Sequence, residues 1–148
     1  MITQTLIALF ERDLTKLKEE LQAYKTEENI WKIQAGILNS AGNLTLHLIG
    51  NLNAFIGAEI GKTNYVRNRP LEFSDKYVPR EKMIADIEAT IQTIRAALLT
   101  LKPEDYQKEY PILVFEEKTS TEYFLIHLAV HLGYHLGQVN YHRRLLDQ

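Results

Sequence analysis

The chain contains no cysteine. That excludes disulfides, thiolate-bound metals, iron–sulfur clusters and any nucleophile made from a protein thiol. It also lacks an excess of either charge: 17 Lys and Arg stand against 19 Asp and Glu, a formal net charge of -2. Residues 1–74 carry eight of each sign, so no basic block is set aside for nucleic acid or anionic lipid. Long apolar runs are missing too, and nothing approaches the roughly 18 residues of a membrane span. Residues 1–10 hold one short apolar run with no basic flank, and Glu11-Arg12-Asp13 follows at once, unlike a leader segment. The expectation is a cytoplasmic protein with neither a nucleic-acid nor a membrane partner. What is present is 148 residues, 45% of them hydrophobic, which fits a single domain over 1–148 whose core needs no covalent staples. Five histidines are present, and four of them fall between 127 and 142.

Hydrophobic periodicity predicts four long helices. Over 2–24, Leu6, Phe10, Leu14, Leu17, Leu21 and Tyr24 step by three or four and form one stripe. A second helix is expected over 40–60, with Ser40 as N-cap and Gly61 as stop. It carries Asn43, His47 and Asn51 on one face of an otherwise apolar segment. A third is expected from Pro79, as first helical residue, to Leu101, with Ile84, Ile87, Ile91, Ile94 and Leu98 as its seam. The fourth spans 119–146, opened by a capping box of Thr119 and Glu122 and closed by Arg143 and Arg144. Only a narrow strip through Glu122, Gly133, Asn140 and Arg144 looks wet, so this helix is expected to be the most buried. The fold class is therefore all-α, a four-helix bundle with long connections over 25–39, 62–78 and 102–118. Such connections cover an end of the bundle or carry function, and 112–115 has the composition of a short extended piece.

The histidines carry the chemistry. At helical spacing, His127, His131, His135, Gln138 and His142 fall within one sector of about 80°. Apolar residues flank that sector on both sides, so it points into the bundle. Buried imidazoles without partners cost a few kcal/mol each, and a column of them is most economically satisfied by a metal. Two histidines four apart on a helix chelate one ion from a single face, and a third ligand must come from another helix. His47, on its apolar helix, is the one other histidine available. Leu132 follows His131, so the metalloprotease pattern is absent, and no Glu-x-x-His pair supports a carboxylate-bridged di-iron site. Three imidazoles leave an open position for water, whose pKa a zinc ion lowers towards ~7, or for an external thiol.

The string from His131 to Gln138, H-L-G-Y-H-L-G-Q, resembles the fourth-helix signature of the DinB-like superfamily, H-x-x-x-H-R-G-Q. The segment from Asn43 to Asn51, with its single histidine, resembles that superfamily's second-helix motif, and helix order and length agree along essentially the whole chain. The resemblance implies a four-helix bundle holding one divalent metal (Zn, Ni, Mn or Fe) through His47, His131 and His135. It also implies a homodimer and activities such as S-transfer or isomerisation using bacillithiol, mycothiol or glutathione. Leu136 stands where many members have Arg, so no role of that Arg transfers.

The expected function is a metal-dependent enzyme that activates a low-molecular-weight thiol or water for transfer to, or hydrolysis of, a small electrophile. The competing reading is a non-catalytic metal- or ligand-binding bundle, which a fourth ligand from His127 would favour. Asn51, Tyr65 and Arg67 are the candidate catalytic residues: Asn51 lies one turn beyond His47, and Tyr65 and Arg67 sit on a long connection. Against that, Arg67 and Arg69 are placed to pair with Glu72 or Asp75 on an ordinary solvated loop. His142 is expected at the surface near the helix end, Tyr134 against a neighbouring helix, and Tyr24 and Trp31 in the core.

Overall fold

The computed structural model describes all of residues 1–148; its only regular elements are helices, with no strand. Helix α1 spans Ile2–Ala23, α2 Ala41–Leu52, α3 Arg69–Ser74, α4 Arg80–Leu98 and α5 Thr121–Leu146. The four long helices close into a ring: α1 packs between α4 and α5, and α2 packs between the same two from the opposite corner. The α1 stripe is the deepest part of the core, with Phe10, Leu14, Leu17 and Leu21 fully buried and Tyr24 joining them just past the helix end. Ile87, Ile94 and Leu98 face them from α4, and Leu125, Leu128, Leu132 and Val139 from α5. Dense apolar packing of this kind gives α2 and α5 fixed positions, which is what a site shared between them requires.

Several boundaries differ from the sequence expectation, each for a local reason. Pro79 is the N-cap of α4 and the helix starts at Arg80; it ends at Leu98, three residues before Leu101. The cap of α5 is Ser120, whose hydroxyl accepts from the Tyr123 amide, while Glu122 is drawn away to the Gln107 amide. Beyond α2 the backbone widens into a π turn over Asn53–Ala58, and the left-handed residue that ends the segment is Lys62, at φ 55°, and not Gly61. The 112–115 stretch is not a strand; it bends across the start of α5, with Phe115 packed on Phe124 and His127. The connection 62–78 contains the extra helix α3, which lies on α2.

The burial of α5 is the largest correction. Tyr123, Ile126, Val130, Tyr134, Tyr141 and Leu145 are exposed, so its outer face is apolar. Of the strip expected to be wet, Arg144 is exposed, but Gly133 and Asn140 instead meet α1, where the Asn140 amide, and beside it the Arg143 guanidinium, donate to Glu20. A helix apolar around most of its circumference does not specify which arc is covered. Here the polar partners on α1 decided it.

Candidate metal centre

His47 stands one turn past Leu44 on the inner face of α2, and His131 and His135 stand one turn apart on α5. The packing of α2 on α5 turns the three rings edge-on to one another, with centroids 4.5–5.4 Å apart. Their Nε2 atoms converge. His131 Nε2 lies 3.3 Å from His47 Nε2 and 3.2 Å from His135 Nε2, and all three donor atoms fall within 4.8 Å of one another. Three nitrogens bound to one tetrahedral ion at roughly 2.0–2.1 Å would be spaced by about 3.3–3.4 Å. The two short separations fit such an ion. Without one, unprotonated nitrogens would place their lone pairs against each other.

The outer nitrogens explain how the rings are aimed. His47 Nδ1 donates to Glu72 Oε1 at 3.0 Å, which leaves Nε2 as the free lone pair. Glu72 is itself buried and is held by Arg67, whose Nε and a terminal nitrogen donate to its two oxygens at 2.9 and 3.0 Å. Gly50 makes room for this carboxylate: a Cβ there would sit 1.9 Å from Glu72 Oε2. Asn43 fixes α3 from below, its amide donating to the carbonyls of Glu72 and Asp75 at 2.9 and 2.8 Å. On α5, His135 Nδ1 donates to Gln138 Oε1 at 2.7 Å. His131 Nδ1 is buried with no partner, as is Asn51 Oδ1.

Burial lowers the pKa of His47, opposed by the hydrogen bond to Glu72. Burial, then the neighbouring His135 and His47, pushes His131 down to about 4. Both rings are therefore neutral near pH 7 and present lone pairs, the form a metal ligand needs.

The remaining candidates divide. Arg67 is the Glu72 partner, as one sequence reading had it, but the pair is no solvated loop contact: it forms a buried bridge to His47. Arg69 stacks over Phe73 instead of pairing with a carboxylate. Tyr65 lines a cavity of about 460 Å³ of mixed character, which Glu72 also lines and none of the imidazoles does. Asn51 is buried, but no hydrogen bond ties it to the cluster. His127 is outside the cluster, packed against Phe115 and Phe124. Tyr134 projects to solvent instead of packing on a helix, because its arc of α5 is the uncovered one.

His142 is not at the surface. It is buried, with Nε2 donating to the Lys32 carbonyl at 2.9 Å and Nδ1 accepting from the Tyr24 hydroxyl at 2.7 Å. The 27–39 connection folds over the end of α5 and covers it, which spacing on the helix alone does not reveal. Glu72 and Gly50 also escaped sequence reasoning as parts of the site. The available signal was an acidic residue on the connection that already carried Arg67.

A family profile described as a protein of unknown function, DUF1572, matches residues 3–148. The chain belongs to the DUF1572 family. Its fold is similar to the crystal structure of a conserved protein from Enterococcus faecalis, with a TM-score of 0.77 and 18% identity over 99% of this chain and 97% of that one. At that identity the likeness concerns the fold. No curated protein matches.

Proposed function

We propose that this DUF1572 protein is a DinB-like, mononuclear metal protein in which His47, His131 and His135 hold one divalent ion, Zn, Ni, Mn or Fe. The observation that carries the reading is the convergence of three Nε2 atoms, with His47 backed by a buried carboxylate and His135 by an amide. A divalent ion so held supplies Lewis acidity, lowering the pKa of a water or a low-molecular-weight thiol such as bacillithiol. The chain's own part is to keep the imidazoles neutral and aimed. Glu72 and Gln138 set the tautomers, and Arg67 neutralises the carboxylate that would otherwise be buried as a bare charge.

An enzyme is favoured over a closed structural site because His127, the nearest further imidazole, is committed to packing against Phe115 and Phe124. The reaction class proposed is transfer to, or hydrolysis of, a small electrophile. The homodimer implied by the resemblance has support in the exposed apolar side chains Tyr123, Ile126 and Val130, with Leu113 and Val114 in the preceding connection. Cytoplasmic placement accords with the absence of any helix long and apolar enough to cross a membrane.

The test is metal analysis of protein purified without a histidine tag, followed by a screen of bacillithiol, mycothiol and glutathione against a model electrophile, with and without metal. About one equivalent of metal per chain and metal-dependent turnover are expected. A metal-free protein whose stability does not respond to chelator would end the metal reading. Full metal occupancy with no turnover under any thiol or with water would favour the non-catalytic bundle.

A further inference from the structure

Beside the three-imidazole cluster lies a cavity of about 540 Å³, between the 36–39 turn and the C-terminal half of α5. Its size is that of a site for a small organic ligand. His135 is part of its wall, so whatever fills it meets the cluster directly.

The lining is uncharged. Leu38 and Leu44 stand on one side, Tyr134, Tyr141 and Leu145 on the other, and no carboxylate, ammonium or guanidinium is among the lining residues. Leu38 is 90% exposed, an apolar lining side chain with nothing from this chain upon it. The turn that carries it is built to stay in place. Gly36 takes a φ of 83°, open to glycine without strain, and the Ile37 amide closes the turn on the Gln34 carbonyl at 2.9 Å. Further back, His142 ties the Lys32 carbonyl to α5. The wall is thus anchored at both ends of the connection.

The polar groups in the lining are Asn39, His135, Gln138, His142 and two tyrosine hydroxyls, and of these His135 belongs to the cluster. With His135 Nδ1 donating to Gln138 Oε1, the Gln138 amide nitrogen is left as a donor with no protein acceptor. It lies beside the metal-facing histidine. In the metal-free chain a ligand with a charge of either sign would lose hydration here and meet no opposite charge among the lining side chains. A flat apolar ligand with a neutral hydrogen-bond acceptor loses nothing comparable.

We infer that this cavity is the substrate site and that it selects uncharged, largely aromatic molecules bearing a carbonyl-type acceptor, which Gln138 engages next to His135. This rests on the metal reading only for the statement that the bound molecule is a substrate; the cavity and its selectivity stand on the lining residues. A second copy seated on Tyr123, Ile126 and Val130 would lie on the other half of α5 and leave the opening free.

The experiment uses the full chain, metal-free and metal-loaded, with Zn, Ni, Mn and Fe content measured on every sample; the charge comparison is read on the metal-free chain, where no cation holds the carboxylate. Acetonaphthone, naphthoate and naphthylmethylammonium share one ring system and differ in charge. Their binding is followed by calorimetry and by backbone and side-chain amide NMR. The ketone should bind saturably, at least about tenfold tighter than either ion, and shift Gly36, Leu44 and the Gln138 side-chain amide. Leu38→Lys, at an exposed position, should move the preference towards naphthoate. Gln138→Leu should weaken the ketone.

The inference is overturned if the ions bind as tightly as the ketone, if no saturable binding occurs, or if the shifts fall elsewhere. An unchanged preference in Leu38→Lys also overturns it. Zinc bound without ketone selectivity defeats the cavity reading alone. Ketone selectivity in a chain that takes up none of Zn, Ni, Mn or Fe supports the cavity and defeats the metal reading alone.

Discussion

His131 and His142 lie on one sector of the same helix, both out of full contact with water, and their surroundings are opposite in kind. His142 has a protein partner at each nitrogen, the Tyr24 hydroxyl and the Lys32 carbonyl. It behaves as a satisfied core histidine that pins a connection to α5. His131 has no partner at Nδ1 and meets two other imidazole nitrogens at Nε2. Burying a polar group costs little once it is hydrogen-bonded and a great deal when it is not. The first arrangement is complete as it stands; in the second, a cation between the rings would account for the converging Nε2 atoms, and Nδ1 is still without a protein partner. Burial and helical position, which the two share, do not separate a ligand from a structural residue. The partners do.

Substitutions can break that comparison. His131→Ala and His47→Ala should each abolish tight metal binding, a loss beyond the roughly 10–100-fold typical of outer partners. His142→Ala should leave the metal content of the purified protein unchanged; elemental analysis of the three variants side by side gives the answer. If His142→Ala empties the site and His131→Ala does not, the assignment is reversed.

Next in size is the support of His47. Glu72→Gln should weaken metal affinity by about 10–100-fold with the fold intact, because an amide orients the ring less strongly than a carboxylate does. Gly50→Ala should act in the same direction and also destabilise, since its methyl group would displace the Glu72 carboxylate. Competition titration with a chromophoric chelator measures both. Affinity equal to wild type in both variants would detach Glu72 from the site.

Tyr24→Phe removes the donor to His142 and should lower the stability of the metal-free chain by about 1–2 kcal/mol, read by urea denaturation, with metal affinity unchanged.

The acid limb of the stability curve sharpens the same contrast. Burial lowers the pKa of His142, opposed by its hydrogen bond to the Lys32 carbonyl, and burial lowers His47 and His131 as well. The unfolded chain therefore takes up protons first. Stability of the metal-free protein should be full above the ordinary histidine pKa of about 6.5 and fall as pH drops below it. His142→Gln should make that fall shallower without removing it, because the two cluster histidines remain. A pH-independent stability between 7 and 5 would contradict the burial of all three. The smallest effect is expected at the uncovered arc of α5, where Tyr134→Ala should change stability by no more than about 0.5 kcal/mol.

Much of this was legible beforehand. The α1 stripe from Leu6 to Tyr24 is buried without exception, because its partners are apolar and its other face is charged, so one orientation is far better than the rest. That His47 meets histidines of α5 was also readable, since polar residues in two apolar helices must meet something; the residues left His127, His131 and His135 open, and the DinB-like resemblance picked out the two that the fold brings to His47. On α5 the same reasoning had too little contrast to work with. Apolar residues nearly surround the helix, so its pattern did not say that Tyr134 and Val130 face water or that Asn140 meets Glu20 on α1.

By itself the sequence determined that this is a helical chain, free of thiolate ligands, with most of its imidazoles gathered on one helix. Those properties follow from residue identity and local spacing. The tertiary structure decided which histidines are left unsatisfied. It brought α3 onto α2 so that Glu72 reaches His47 through the space left by Gly50, and it folded the 27–39 connection over α5 so that Lys32 reaches His142. These are contacts between residues tens of positions apart or more. Their partners are chosen by how helices pack and where connections cross, and no local pattern encodes that.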